Sequence, residues 1–259
     1  MRLIKGQEVL YKHFKGSKEA VVFIHGILEG PKQFSKLAEI AYRKGYSVYI
    51  IFLPGHGGSS MEFATTNYMR WIEFVSKHIS LLLSRYKSIL IVGHSMGALL
   101  AICEKVARPK GIKALFLIDP PLKVHLWPRV IKGAIKIYLG QVKPKERYIL
   151  AEYHAMSVGP LKPKAFIGWV TRYSELLSIV AYTKKQISKV HLPIYLVFAA
   201  KDEFVSWKSR AYFKSYSGEL KVLYLKNSGH FFYDCKDLIR LEKAYTNFIG
   251  EQKIKHSLE

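Results

Sequence analysis

Ser95 lies between two glycines, in Gly93-His94-Ser95-Met96-Gly97. The apolar run 89–92 comes just before this segment, and a second apolar stretch follows it as far as Cys103. An apolar run, a glycine-flanked turn and a helix-forming segment together predict a strand, a sharp turn and a helix. Glycine on either side removes the Cβ atoms that would keep strand and helix apart. A serine on such a turn stands at a helix N-terminus, where backbone N–H groups favour developing negative charge, and the Met96 N–H follows it directly. The chemistry this suits is nucleophilic attack. A serine hydroxyl is a weak nucleophile unless a base takes its proton, and the base needs an acid to orient it. The same five residues would also suit an ordinary tight turn, so the elements around them decide.

Continuous apolar runs at 20–24, 46–52, 89–92, 111–118, 193–200 and 220–225 read as strands buried on both faces. Helical periodicity lies between them, at about 31–41, 68–86, 97–103, 207–216 and 238–249, and residues 3–14 read as an edge hairpin. Alternating strands and helices predict a mainly parallel sheet with helices on both faces. In such sheets ligands bind beyond the carboxyl ends of the strands. His25, His56, Ser95, Asp119, Asp202 and His230 all follow predicted strands, so they should gather along one edge. Two aspartates compete to orient the histidine. Asp119 precedes two prolines, which suits a turn residue.

The alternation lapses between about 121 and 192. Three helical segments, 128–139, 145–156 and 164–189, replace it, and the stretch is far longer than an ordinary connection. It is rich in aromatic and apolar residues, as a cover over an apolar pocket would be.

Composition narrows the function classes. Hydrophobic residues make up 49% and charged residues 23% of 259, as in ordinary globular proteins. Two cysteines, Cys103 and Cys235, argue against a disulfide scaffold and suit a reducing compartment. No apolar run approaches the ~20 residues of a membrane span, and the first residues lack a signal-peptide pattern. A cytoplasmic location is expected. The formal charge of +22 arises from 41 Lys and Arg against 19 Asp and Glu. The basic residues are spread along the chain with no nucleic-acid-binding motif, so no nucleic-acid partner is expected.

The assembled pattern resembles the α/β-hydrolase family along nearly the whole chain. Gly93-His94-Ser95-Met96-Gly97 resembles its nucleophile elbow, and Lys201-Asp202-Glu203, after the penultimate strand, its acid position. Ser228-Gly229-His230 resembles the histidine position and His25-Gly26 the oxyanion-hole loop, with the family's order Ser, acid, His. The resemblance implies a doubly wound, mainly parallel α/β sheet formed by residues 1–120 and 193–259. A helical lid, residues 121–192, would be inserted after the sixth strand. It implies a triad of Ser95, Asp202 and His230 and an oxyanion hole from the backbone N–H groups of Ile27 and Met96. Gly93, Gly97, His25 and Gly26 would support the elbow and loop, and His56 would pack beside them. No metal or cofactor is implied.

A serine nucleophile disfavours the dehalogenase and epoxide-hydrolase branches, which use aspartate. The motif set looks like the bacterial carboxylesterase and monoacylglycerol-lipase group. The expected activity is hydrolysis of small-molecule carboxylic esters, of short to medium acyl chains or of monoacyl lipids, through an acyl-enzyme. The alternatives are a thioesterase, C–C hydrolase or acyltransferase with the same triad, or a hydrolase-fold ligand-binding protein. The sequence leaves the oligomeric state open.

Overall fold

The computed structural model describes residues 2–4, 9–125 and 128–257. Eight strands form one sheet: β1 (Arg2–Ile4), β2 (Val9–Lys12), β3 (Glu19–Ile24), β4 (Ser47–Ile51), β5 (Ser88–His94), β6 (Ile112–Ile118), β7 (Ile194–Ala199) and β8 (Leu220–Leu225). Their order is β1-β2-β4-β3-β5-β6-β7-β8. β1, β2 and β4 pair antiparallel at one edge, and every other pairing is parallel. The expected α/β-hydrolase architecture is therefore present.

The apolar runs are continuous because both faces of the central strands are covered, and successive side chains point to opposite faces. Val21, Phe23, Leu90, Val92 and Phe116 pack against α1 (Ser35–Arg43) and against Leu241, Tyr245 and Phe248 of the last helix. Ala20, Val22, Ile24, Ile89, Ile91 and Leu115 pack on the other side. There they meet α3 (Tyr68–Leu83), through Trp71, Val75 and Ile79, and α4 (Met96–Ala107).

Three differences from the expected elements have local causes. A short helix, α2 (Ser60–Thr65), follows the glycine-rich loop. Ser59 caps it by accepting from the Glu62 N–H while the Glu62 carboxylate accepts from the Ser59 N–H. The segment expected as a helix over 207–216 is a 3-10 helix, Trp207–Phe213. Its buried Ser209 hydroxyl accepts from the Lys123 N–H at 2.8 Å, which ties the turn to the strand-end loop. The last helix, α8, runs over Cys235–Ser257, longer than its apolar pattern.

Between β6 and β7, after the sixth strand, come α5 (Pro128–Tyr138), α6 (Arg147–Ala155) and α7 (Phe166–Gln186). α7 is held along its length. Near its start, the Trp169 indole donates to the Ser60 carbonyl at 3.0 Å and the Arg172 guanidinium to the Ala64 carbonyl at 2.8 Å. Towards its end, Ile179 and Val180 enter the same core as α4. The loop after α6 is also tied down. Met156 bridges Glu29, and the Ser157 N–H donates to the Leu28 carbonyl at 2.8 Å.

Candidate active site

Ser95 has φ 51° and ψ −123°, a left-handed conformation for a residue with a Cβ. Two backbone hydrogen bonds hold it there: Ser95 N–H to the Ile118 carbonyl at 2.9 Å, and Ala98 N–H to the Ser95 carbonyl at 3.0 Å. The flanking glycines are required by space. A Cβ on Gly97 would lie 2.0 Å from the Ile24 carbonyl oxygen, and one on Gly93 would lie 2.6 Å from the Ala98 backbone. Ser95 directly precedes the first residue of α4, so the positive end of that helix faces its side chain.

The loop after β3 lies against the serine. A Cβ on Gly26 would approach the Ser95 Cβ to 2.7 Å, so the glycine lets the loop come this close. Leu28 turns the loop with φ 63°. Two buried histidines brace it. His25 Nδ1 donates to the Gly26 carbonyl at 2.8 Å while its Nε2 accepts from the Leu53 N–H at 3.0 Å. His56 Nδ1 faces the Pro54 carbonyl at 3.2 Å, and its Nε2 accepts from the Leu28 N–H at 3.1 Å. Burial pushes His25 down to about 4 and His56 down to about 3, so both are neutral and structural at neutral pH.

Asp202 and His230 meet at the ends of β7 and β8. The Asp202 Oδ2 lies 2.6 Å from His230 Nδ1, while its Oδ1 accepts from the Phe204 and Val205 N–H groups, both at 2.7 Å. The carboxylate is therefore fixed from one side and faces the imidazole with the other. The His230 N–H is anchored to Glu203 Oε2 at 3.0 Å. Burial alone would pull the His230 imidazole down, but the Asp202 charge and hydrogen bond, with help from Glu29 and Asp119, raise it to about 10.

Asp119, the rival acid, is a buried neighbour of the pair, with donor atoms of Asp119, Asp202 and His230 all within 4.8 Å of one another, but it is held differently. Its Oδ1 accepts from the Ala199 N–H at 2.8 Å, and its Oδ2 accepts no hydrogen bond from the described residues. Burial, with the nearby Asp202 charge, pushes its carboxyl well above the usual range. Of the two aspartates, Asp202 holds the hydrogen bond to His230.

Sequence reasoning missed Glu29. This carboxylate is 1% exposed and joins the loop to the elbow: its Oε2 accepts from the Gly26 N–H at 2.6 Å and faces His94 Nδ1 at 2.8 Å. His94 thus points away from the pocket-facing serine and into this carboxylate. The only sequence signal is a lone acid in the otherwise apolar and glycine-rich stretch 26–31.

Ser95, His230 and Glu29 open onto one cavity of about 500 Å³. Its walls are largely apolar, among them Ile27, Pro121, Val124, Leu176, Phe204 and Phe231. Glu152, from α6, also lines it, and burial together with the Glu203 charge pushes its carboxyl up to about 7. No helix among the described residues is long and apolar enough to cross a membrane.

Comparison with known proteins bears on the fold and the family. The viral "Monoglyceride lipase homolog" of Monkeypox virus is 24% identical over 230 residues, covering 79% of each chain. Seven further curated relatives align over at most two fifths of their own length. Among solved structures, a chain described as one of two metagenome-derived lipolytic enzymes superposes with a TM-score of 0.73 at 21% identity, covering 96% of this chain and all of that one. A monoacylglycerol lipase of Paleococcus ferrophilus gives 0.69 at 19% identity, covering 93% and 98%. The family model described as "Serine aminopeptidase, S33" matches residues 15–230, from just ahead of β3 through His230, and the chain belongs to this family of α/β hydrolases.

Proposed function

We propose that the protein is a serine hydrolase that cleaves carboxylic esters of short to medium acyl chains or of monoacyl lipids. The observation that carries this reading is His230, hydrogen-bonded to Asp202 behind it, opening onto the same largely apolar cavity as a serine held on a strained turn. In this reading His230 takes the Ser95 proton as the hydroxyl attacks the ester carbonyl. Asp202 holds the imidazole in the working tautomer and stabilises its cation. The Met96 and Ile27 N–H groups receive the oxyanion. His230 then protonates the leaving alcohol, and water hydrolyses the acyl-enzyme by the reverse sequence of proton transfers. The acyl chain lies along the apolar walls, and α5, α6 and the first part of α7 act as the lid. The similarity to lipolytic proteins supports this choice over the other reactions open to the same triad.

Hydrolysis of a p-nitrophenyl ester series from acetate to palmitate, together with monoacylglycerols, tests the reading. A chain-length optimum short of palmitate is expected. A folded protein that turns over none of these esters would replace it with a ligand-binding role.

The raised His230 pKa gives a second expectation. The base works only when neutral, so kcat/KM should increase with pH, with an acid limb above histidine's ordinary 6.5. Glu29→Gln removes one of the charges that raise it and should move the limb downward. A wild-type limb at or below 6.5 would contradict this. Stability has the opposite sign: the gain from holding His230 protonated is full below 6.5 and is lost as pH rises through about 10.

A further inference from the structure

Two buried polar atoms beside this cavity have no hydrogen-bond partner among the described residues. Glu29 Oε2 accepts from Gly26, His94 and Gln33, but Glu29 Oε1 accepts from no described residue. It lies 3.8 Å from His230 Nε2, the nitrogen that faces away from Asp202. His94 Nε2 is likewise buried and unpartnered. Leaving such an atom unsatisfied costs about 1–3 kcal/mol, and native interiors hold few of them.

The three side chains have the arrangement of a metal site. One donor atom from each of Glu29, His94 and His230 lies within 4.8 Å of the others, and all three residues are buried. The His94 and His230 rings are 4.6 Å apart. Two imidazoles and one carboxylate form a recurring three-ligand zinc set that leaves a fourth position open. Bonds of about 2.0–2.2 Å need donors roughly 3.2–3.6 Å apart in a tetrahedral site, within reach of small side-chain rotations. The outer layer is also in place. A zinc-bound histidine usually donates its other N–H to a carboxylate, and His230 Nδ1 already faces Asp202 at 2.6 Å. The mixed nitrogen and oxygen donors favour zinc over magnesium or calcium, which take oxygen ligands.

We propose that Glu29, His94 and His230 form an inhibitory zinc site at the reactive serine. Zinc on His230 Nε2 occupies the lone pair that must accept the Ser95 proton, so metal binding and catalysis exclude each other. The inhibitory consequence rests on the reading of His230 as the base; zinc binding itself does not.

The test treats the full-length protein with EDTA, removes the chelator and adds ZnCl₂, with MgCl₂ as control. Binding is followed by calorimetry, and Ser95 reactivity by the rate of labelling with a fluorophosphonate. The expected result is one zinc per chain at this site, slowed labelling, ester turnover lowered at least ten-fold and restored by EDTA, and no effect of magnesium. Glu29→Gln and His94→Gln, each checked by thermal melting, should weaken zinc binding on the order of ten-fold or more. A double Cys103→Ser, Cys235→Ser variant should bind as wild type does, since both thiols are free and are the obvious competing ligands. The proposal is overturned if tenth-millimolar zinc does not bind, or if labelling proceeds unchanged with zinc bound. It is equally overturned if the cysteine variant loses binding while Glu29→Gln and His94→Gln retain it. Calorimetry reports on the site even if the protein hydrolyses no ester, so failure of the zinc site and failure of the ester reading are separable.

Discussion

Ser95→Ala should fold as wild type does and lose turnover by about six orders of magnitude, the scale on which removal of a triad serine acts in other serine hydrolases. The fold survives because the strained turn is held by backbone groups, Ser95 N–H to Ile118 and Ala98 N–H to the Ser95 carbonyl, which alanine keeps. Alanine also pays much the same cost as serine at φ 51°. The measurement is initial-rate hydrolysis of the best ester from the chain-length series, alongside a melting curve. Residual turnover within a hundred-fold of wild type would remove Ser95 from the mechanism.

Asp202→Asn should lower kcat by about four orders of magnitude while Asp119→Asn stays within about ten-fold of wild type. The asymmetry follows from their partners. Asp202 Oδ1 accepts two backbone N–H groups, so an asparagine there keeps its oxygen on Phe204 and Val205 and turns its NH₂ towards His230. That NH₂ can only donate, so His230 Nδ1 must accept, and the ring proton moves to Nε2, where the base has to be empty. Asp119 is different. Burial already keeps its carboxyl protonated well above the usual range, and its one hydrogen bond, from the Ala199 N–H, is one an amide oxygen can accept. The two variants compared in the same ester assay decide the assignment, and the reverse ranking would name Asp119 as the orienting acid.

The parallel sheet was legible because burial on both faces leaves continuous apolar runs such as β3 and β5, which survive without any knowledge of their neighbours. The candidate residues were legible for a related reason: a doubly wound sheet delivers every strand end to one edge, so position after a strand already implies proximity. α2 was missed because six residues carry too little periodicity, although Ser59 and Glu62 stand at capping-box spacing. The segment 207–216 carries helical apolar spacing, yet the Ser209–Lys123 hydrogen bond draws it into a tighter turn. Glu29 could not be recovered from local pattern at all. Its partner His94 lies 65 positions away, and only the docking of the loop on the elbow brings the two together.

The way α7 is tied down has a consequence for traffic through the pocket. Trp169 and Arg172 fasten its start to α2, and Ile179 and Val180 fasten its end beside α4, so the wall it supplies is permanent. The bridge at Met156 fixes the far end of α6 to the loop beside the serine. The start of α6 is tied as well, since the Tyr148 hydroxyl donates to the Asn227 carbonyl at 3.3 Å and its ring packs on Phe232, so among the described residues the part of the cover with the fewest ties to the core is α5. Substrate and products are expected to pass on that side. If product departure sets the pace, positions on α5 should tune the speed of the enzyme, whereas substitutions at the anchors of α7, Trp169 and Arg172, should register chiefly as changes in stability.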